Sequence, residues 1–172
     1  MNERDLQRLM DDKSFVDSRI KEYLGKNVIV QIHSKEELLG HMAKAEHNLE
    51  FISDTNSKYN DWILVGCYYA IYHAALSLIL MKGFFSKSHD ATLCLLIKHF
   101  YDKSLSKEDI ILVNTFDSQE MLFYVQSKQE REKASYSTKI LFDTKYVNKI
   151  VIQSRLFVDK SKEIIKSGAR WT

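Results

Sequence analysis

The sequence contains no proline, only five glycines among 172 residues, and only two cysteines. Proline and glycine punctuate loop-rich and all-β folds, so their scarcity argues against those classes and favours helices. Two cysteines without a Cys-x-x-Cys pair do not make a disulfide framework or a zinc cluster. Because Cys67 and Cys94 lie within apolar helical patterns, we predict buried thiols in a reducing compartment.

The chain also lacks a strong charge of either sign and an N-terminal secretory signal. Its formal net charge is only +2, so a nucleic-acid site would have to come from a local patch of basic residues. The first residues, MNERDLQRLMDDK, are charged and have no apolar segment of the kind that directs secretion. We therefore expect a cytoplasmic protein.

The longest apolar stretch, DWILVGCYYAIYHAALSLILMKG at 61–83, has apolar residues on every side of a helical wheel. No face is left for water, which predicts a helix at the centre of the fold. The stretch approaches the roughly 20 residues of a membrane span. Three tyrosines, a histidine and a serine lie within it, so we predict a buried core helix and no membrane association.

The remaining helices are predicted from amphipathic patterns and from serine caps. Ser34 with Glu37 forms a capping box, and Ser88 and Ser106 are further cap candidates. The predicted helices span about 2–24, 34–54, 61–83, 89–101, 106 to beyond 125, and 144–167. The segment VIVQIH at 28–33 is too short and isolated to found a sheet, and we predict an extended linker there.

These helices predict an all-α fold, an up-and-down antiparallel bundle of about five main helices with an extra N-terminal helix. No repeat and no linker rich in proline, glycine or serine divides the chain. We assign 1–33 to the N-terminal helix and linker, 34–167 to the bundle, and 168–172 to a tail.

Polar aromatic residues cluster on the central helix, where Tyr68, Tyr69, Tyr72 and His73 lie on adjacent turns. They could line a pocket or form a platform for stacked bases. Large core residues whose hydroxyl and imidazole groups find partners at the edge of the bundle would give the same pattern, and we favour that interpretation.

The histidines show no metal-binding pattern, because the sequence has no His-Glu-x-x-His and no Cys/His ligand spacing. We predict neither a metal nor a cofactor. His89 lies in Lys87-Ser88-His89-Asp90 at a predicted helix N-terminus, where free N–H groups can bind an anion. A simple serine cap with solvent-facing neighbours is the alternative that we favour there.

The segment 128–149 interleaves basic and aromatic residues. It contains six basic residues (Lys128, Arg131, Lys133, Lys139, Lys145, Lys149), three acids (Glu130, Glu132, Asp143) and two tyrosines (Tyr136, Tyr146). Such a segment can hold a phosphate backbone and stack bases, although a solvated helix face has a similar composition. No P-loop, Gly-x-Gly-x-x-Gly or Gly-x-Ser-x-Gly motif is present.

Several motifs together resemble the HEPN (higher eukaryotes and prokaryotes nucleotide-binding) family. They are AEHNL at 45–49, GCYYAIYHAA at 66–75, and Gly83 followed by KSH at 87–89. REKASY at 131–136 is similar to the Arg-x-x-Ala-Asp-Tyr element of one prokaryotic branch, with Ser135 in the place of the aspartate. The resemblance covers about 34–166.

The resemblance implies a bundle of antiparallel helices that pairs as a homodimer. Many HEPN proteins are metal-independent ribonucleases with an Arg-x4–6-His motif, in which the histidine is the acid/base and the arginine stabilises the phosphate. Others are encoded beside a minimal nucleotidyltransferase as toxin–antitoxin pairs. By this resemblance, Arg131 and Tyr136 are the catalytic candidates, and Arg131, Lys133, Tyr136, His89 and Lys87 are candidates for binding nucleotide or RNA.

The sequence departs from the ribonuclease motif at Tyr136, which stands where the histidine is expected after Arg131. A tyrosine, with a reference pKa of about 10, is a poor general base at neutral pH. We therefore predict a module that binds nucleotide, RNA or a nucleotidyltransferase partner. Two alternatives stay open: an endoribonuclease in which Arg131 works with His73 or His89, and a structural dimer whose N-terminal helix packs on a partner chain.

Overall fold

The computed structural model describes residues 1–115 and 144–168, and there the chain folds as the predicted all-α antiparallel bundle. Its helices are α1 (Glu3–Asp11), α2 (Lys13–Gly25), α3 (Lys35–Asp54), α4 (Asn60–Met81), α5 (His89–Phe100), α6 (Lys107–Thr115) and α7 (Thr144–Gly168). Two short strands, β1 (Ile29–Gln31) and β2 (Phe84–Ser86), and a 3₁₀ turn (Ser57–Tyr59) connect them.

Helix α4 is the centre of the bundle, as its apolar sequence predicts, and packs most extensively against α3 and then α7. Two contacts show that α3 runs antiparallel to α4. The Leu38 carbonyl at the start of α3 accepts a buried hydrogen bond of 2.8 Å from Ser77 Oγ near the end of α4. Ile52 near the end of α3 lies against Gly66 near the start of α4. Fully buried alanines on both helices, among them Ala45 and Ala70, let the two backbones come close.

Among the described residues, one helical stretch, Ser57–Met81, is long and apolar enough to cross a membrane. Within its most apolar window, 78% of the residues are buried inside the fold. This is the pattern of a core helix in a soluble protein, which agrees with the prediction from the internal tyrosines and histidine.

The prediction that α4 has no face for water is wrong in its first half. Trp62 is 53% exposed and Tyr69 is 41% exposed. Both side chains are large and apolar, but the neighbouring helices surround only part of α4 there. The apolar sequence predicted burial for the whole helix, and it did not show which part the neighbouring helices leave uncovered.

Helix α7 packs against both α3 and α4 and runs antiparallel to α3. Arg155 Nη2 donates a 2.7 Å hydrogen bond to Ser53 Oγ, and Lys162 pairs with Glu46 farther along. The amphipathic pattern that predicted this helix has its apolar side buried, at Val147, Ile150, Phe157 and Val158. This confirms its role as a bundle helix.

The N-terminal helix that the sequence predicts as one element is two helices, α1 and α2, separated at Asp12. The Asp12 backbone is extended (φ −119°, ψ 97°), and its carboxylate accepts from Phe15 N at 3.0 Å and from Ser14 Oγ at 2.6 Å. A carboxylate that caps the next helix competes with continuation of the first, which explains the break. Residues such as Leu9 and Ile20 belong to the same core cluster as the bundle.

The segment predicted as an extended linker at 28–33 contains β1, which pairs with β2 in antiparallel register, Ile29 opposite Ser86 and Gln31 opposite Phe84. Gly83 makes the turn from α4 into β2 with φ +79°, and its carbonyl accepts from Ile32 N at 2.9 Å. A Cβ at this position would lie 2.4 Å from Cε1 of the exposed His33 ring, which can move aside, so the positive φ is the reason that favours glycine here.

The three predicted serine N-caps are confirmed. Ser34 Oγ accepts from the Glu37 amide at 3.1 Å, Ser88 Oγ from Ala91 at 3.2 Å, and Ser106 Oγ from Asp109 at 3.3 Å. The predicted burial of the two cysteines is confirmed, and neither forms a disulfide. Burial raises the pKa of the Cys67 thiol to about 11 and that of Cys94 to about 12, so both are protonated.

Candidate functional site

A pair of histidines, His41 on α3 and His73 on α4, lies at the edge of the bundle. Their Nδ1 atoms are 2.9 Å apart and their ring centroids 5.1 Å apart. At this distance one Nδ1 donates its hydrogen and the other accepts, so the pair holds one N–H between the two rings. The contact was not predicted from the sequence, because the two histidines lie on different helices.

Burial keeps the histidine pair neutral. Burial, then the neighbouring His41 and then Lys44, lower the pKa of His73 from 6.5 to about 4. The pKa of His41 is also lowered, chiefly by burial, while Glu37 at 3.9 Å from its Nε2 opposes that shift. At neutral pH both rings are therefore uncharged and can donate and accept hydrogen bonds.

Aromatic rings continue from the histidine pair along α4. Tyr69 stacks on His73 with centroids 6.2 Å apart and meets the edge of Tyr68 at 4.9 Å. Tyr68 stacks on Tyr72 at 5.8 Å. The predicted cluster thus comes together, but its members differ: Tyr68 is 8% exposed and Tyr69 is 41% exposed. Tyr68 is a core residue, while the Tyr69 ring is open to a ligand.

His89, predicted to lie near a bound anion or to face solvent, points into the bundle. Its Nε2 lies 2.7 Å from the Val113 carbonyl oxygen, and because a carbonyl only accepts, Nε2 carries the hydrogen. Its ring stacks on Tyr72 with centroids 6.0 Å apart. Ser88 caps the helix as predicted and Lys87 is exposed. His89 therefore joins α5 to α6 through a buried hydrogen bond.

An open hollow of about 650 Å³ lies where α3, the 3₁₀ turn and the start of α4 meet. Its lining residues are Phe51, Asp54, Thr55, Asn56, Lys58, Tyr59 and Trp62. Trp62 precedes Tyr69 by two helical turns on the same face, about 10 Å along the axis. The exposed rings of α4 thus extend from this hollow to the histidine pair, and the hollow was not predicted from the sequence.

The candidates Arg131, Lys133 and Tyr136 lie outside the described residues. From the basic segment, Lys145, Tyr146 and Lys149 are described, and all three are exposed on the first turns of α7. Within the described ranges, no three His, Cys, Asp or Glu side chains come together as a group that could hold a metal ion.

No family model matches the chain, and no curated protein matches it. The HEPN resemblance thus stays a prediction from short motifs, and the function has to be argued from the residues on the surface of α4.

Proposed function

We propose that the protein is a HEPN-like module that binds a nucleotide or single-stranded RNA, with bases stacked on the exposed rings of α4. The observation that carries this proposal is the position of Tyr69. Its ring is open to solvent on one side and lies against His73 and Tyr68 on the other. Contacts with two neighbours fix the ring before a ligand arrives, which lowers the entropy cost of binding.

Stacking is a suitable interaction for this surface because every base has an aromatic face. A base stacked on an aromatic side chain contributes about 1–3 kcal/mol, with little dependence on sequence. Trp62, which is 53% exposed on the same face as Tyr69, offers a second ring. Two rings about two turns apart suit a short strand better than a single free base.

Polar groups beside Tyr69 support the same ligand class. Lys44 lies near enough to both histidines to lower the pKa of each. Its ammonium can pair with a phosphate of a nucleotide whose base stacks on Tyr69. The neutral imidazoles of His41 and His73 can hydrogen-bond to a base or ribose without the cost of burying a charge.

The HEPN resemblance adds expectations about the oligomeric state and the partner. By this resemblance the protein forms a homodimer and pairs with a minimal nucleotidyltransferase as a toxin–antitoxin system, and we expect it in the cytoplasm. Arg131, Lys133 and Tyr136, with exposed Lys87, stay predicted contacts for phosphate and base. Arg131→Ala tests that region separately from α4, because this substitution should weaken binding without changing the unfolding midpoint.

The α4 surface is tested by two substitutions at one position. Tyr69→Leu keeps the apolar bulk and removes the aromatic face, whereas Tyr69→Phe keeps the face and removes only the hydroxyl. Fluorescence anisotropy with a labelled single-stranded RNA should show about 5- to 150-fold weaker binding for Tyr69→Leu, the equivalent of one stacked base. Tyr69→Phe should bind as the wild type does. Equal affinity of all three proteins would contradict the proposal.

A metal-independent ribonuclease is the second candidate, and the histidine pair is the observation that favours it, since His73 is neutral and able to accept a proton. A pKa of about 4 makes it a weak base at neutral pH, where a value near 7 is best. For this reason binding is the first proposal. RNA cleavage in the presence of EDTA that His73→Asn abolishes would support the enzyme, and absence of cleavage by the wild type would exclude it.

A further inference from the structure

Helix α7 carries two rows of side chains on different sides. One row, which includes Ile150, Ser154 and Phe157, is buried in the bundle. The other row is exposed along its whole length and consists of Lys145, Lys149, Ile152, Leu156, Asp159 and Glu163. Spacings in the exposed row alternate between four and three residues. This is the spacing of a coiled-coil seam, the pattern by which one helix packs on another.

The middle of the exposed row is apolar. Ile152 is 58% exposed and Leu156 is 63% exposed. Among the described residues no other large hydrophobic side chain is as exposed as these two. They are four residues apart, so their side chains are neighbours and form one continuous apolar patch. Such a patch with charged residues at both ends is typical of a surface that another helix covers.

The charges of the row are arranged so that a second copy fits it in one direction. The lysines precede the apolar pair and the acids follow it. When two copies of α7 cross antiparallel about a two-fold axis that meets the exposed row midway between Ile152 and Leu156, Ile152 faces Leu156 of the other copy. In the same register Lys149 faces Asp159 and Lys145 faces Glu163. A parallel pair would place like charges opposite each other, which is unfavourable.

We infer that the exposed row of α7 is a docking surface for a second copy of this chain, which binds as an antiparallel helix pair. The apolar patch supplies the affinity, and the four charged positions select the direction and the register. This surface lies on a different helix from Tyr69. The inference therefore does not depend on the proposed binding of RNA.

The strength of this dimer follows from its size. The row from Lys145 to Glu163 is about 27 Å long at 1.5 Å per residue. One pair of helices of this length buries less than the roughly 1,200 Å² found in stable interfaces. We expect a dimer that dissociates on dilution and that salt weakens, since its outer pairs are exposed to solvent.

Charge reversal gives a test that depends on the register. In Lys149→Glu both positions of the 149–159 pair are acidic, and in Asp159→Lys both are basic, so each variant alone should repel itself. Sedimentation equilibrium should show at least tenfold weaker self-association for either variant. An equimolar mixture should regain association, because the glutamate introduced at 149 then faces the lysine introduced at 159.

Matched control variants distinguish this interface from a general effect of the protein's charge. Lys21→Glu makes the same charge change on the exposed side of α2 and should leave self-association, measured by sedimentation equilibrium, as it is in the wild type. Leu156→Ser should weaken association without a change in charge, and circular dichroism of each variant checks the fold. A monomer at all concentrations up to the millimolar range would overturn the inference. So would a dimer that survives both charge reversals, or a mixture that does not associate.

A nucleic-acid role for the row is an outcome that the same variants detect. If Lys149→Glu weakens RNA binding and leaves self-association unchanged, the row contacts nucleic acid and the inference is wrong. Weaker RNA binding by Tyr69→Leu with unchanged self-association is the result that both proposals expect. Unchanged RNA binding by Tyr69→Leu contradicts the proposed function alone, and unchanged self-association of the charge-reversal variants contradicts this inference alone.

Discussion

His41 Nδ1 lies 2.9 Å from His73 Nδ1, which joins α3 to α4 through two residues that are 32 positions apart in the sequence. The contact requires one protonated and one unprotonated Nδ1. If both rings become positively charged, two N–H groups point at each other and the contact becomes repulsive. The pair is therefore a neutral structural contact whose stability depends on pH.

Acid should weaken the fold through this pair. The pKa of His73 is 6.5 in an unfolded chain and about 4 in the fold, so between these values the unfolded state binds more protons. The contribution of His73 to the free energy of unfolding is therefore fully present above pH 6.5 and is lost as the pH drops toward 4. We expect this residue to account for about 1–2 kcal/mol of the loss, reduced from the full shift by solvent at the edge of the bundle. Urea unfolding at several pH values measures it.

His73→Asn should make the stability less dependent on pH in that window, because the amide can still bond to His41 but does not titrate. His47→Asn is the matched control, since the His47 side chain is 81% exposed and should leave the pH dependence as it is in the wild type. An identical pH dependence in His73→Asn and the wild type would refute the role given to the pair. Glu37 and Lys44, which face these rings, are unchanged in both variants.

Two helical glycines should respond in opposite ways to alanine. A Cβ at Gly66 would lie 2.8 Å from Ile52 Cγ1 and 3.2 Å from Phe51 Cδ1, so Gly66→Ala forces α3 and α4 apart. We expect this clash to lower the free energy of unfolding by about 1–3 kcal/mol. The higher helix propensity of alanine offsets up to about 1 kcal/mol of that loss. Gly40 on α3 has no atom within 4 Å of such a Cβ, so Gly40→Ala should stabilise the protein.

Thermal or urea unfolding of the two glycine variants makes the comparison. A stabilised Gly66→Ala would show that the close approach of the two helices is not required at that point.

His89→Phe should lower stability by about 1–3 kcal/mol. Phenylalanine keeps the ring that packs on Tyr72, but it removes the donor to the buried Val113 carbonyl. Lys87→Ala, on the exposed neighbour, should leave stability within a few tenths of a kcal/mol. Wild-type stability of His89→Phe together with weaker binding of inorganic phosphate would instead support the anion-binding interpretation.

Local signals in the sequence were sufficient for most of the helices. Ser34, Ser88 and Ser106 fixed three helix starts, because a cap depends on residues only three positions away. The apolar period of α7 indicated its buried side for the same reason. The break at Asp12 was missed, although an aspartate followed by Ser14 and a helical pattern is a cap signal of the same kind.

Contacts between distant parts of the chain were beyond local reasoning. The pairing of Ile29 with Ser86 and the meeting of His41 with His73 depend on how α3 packs on α4. One signal for the second contact was present, because His41 lies between Leu38 and Ala45 at the edge of the apolar side of α3. A histidine there faces a neighbouring helix, even though the sequence does not say which residue it meets.

The two short strands have a consequence for the order of folding. Because α3 and α4 are antiparallel, the start of α3 and the end of α4 lie at the same end of the bundle, which is where β1 meets β2. Pairing the strands first would close a loop containing both helices, at a large cost in chain entropy. Once the helices have packed, the strand ends are already together and that cost has been met. We therefore expect the α3–α4 hairpin to form early and the β1–β2 pairing to follow it.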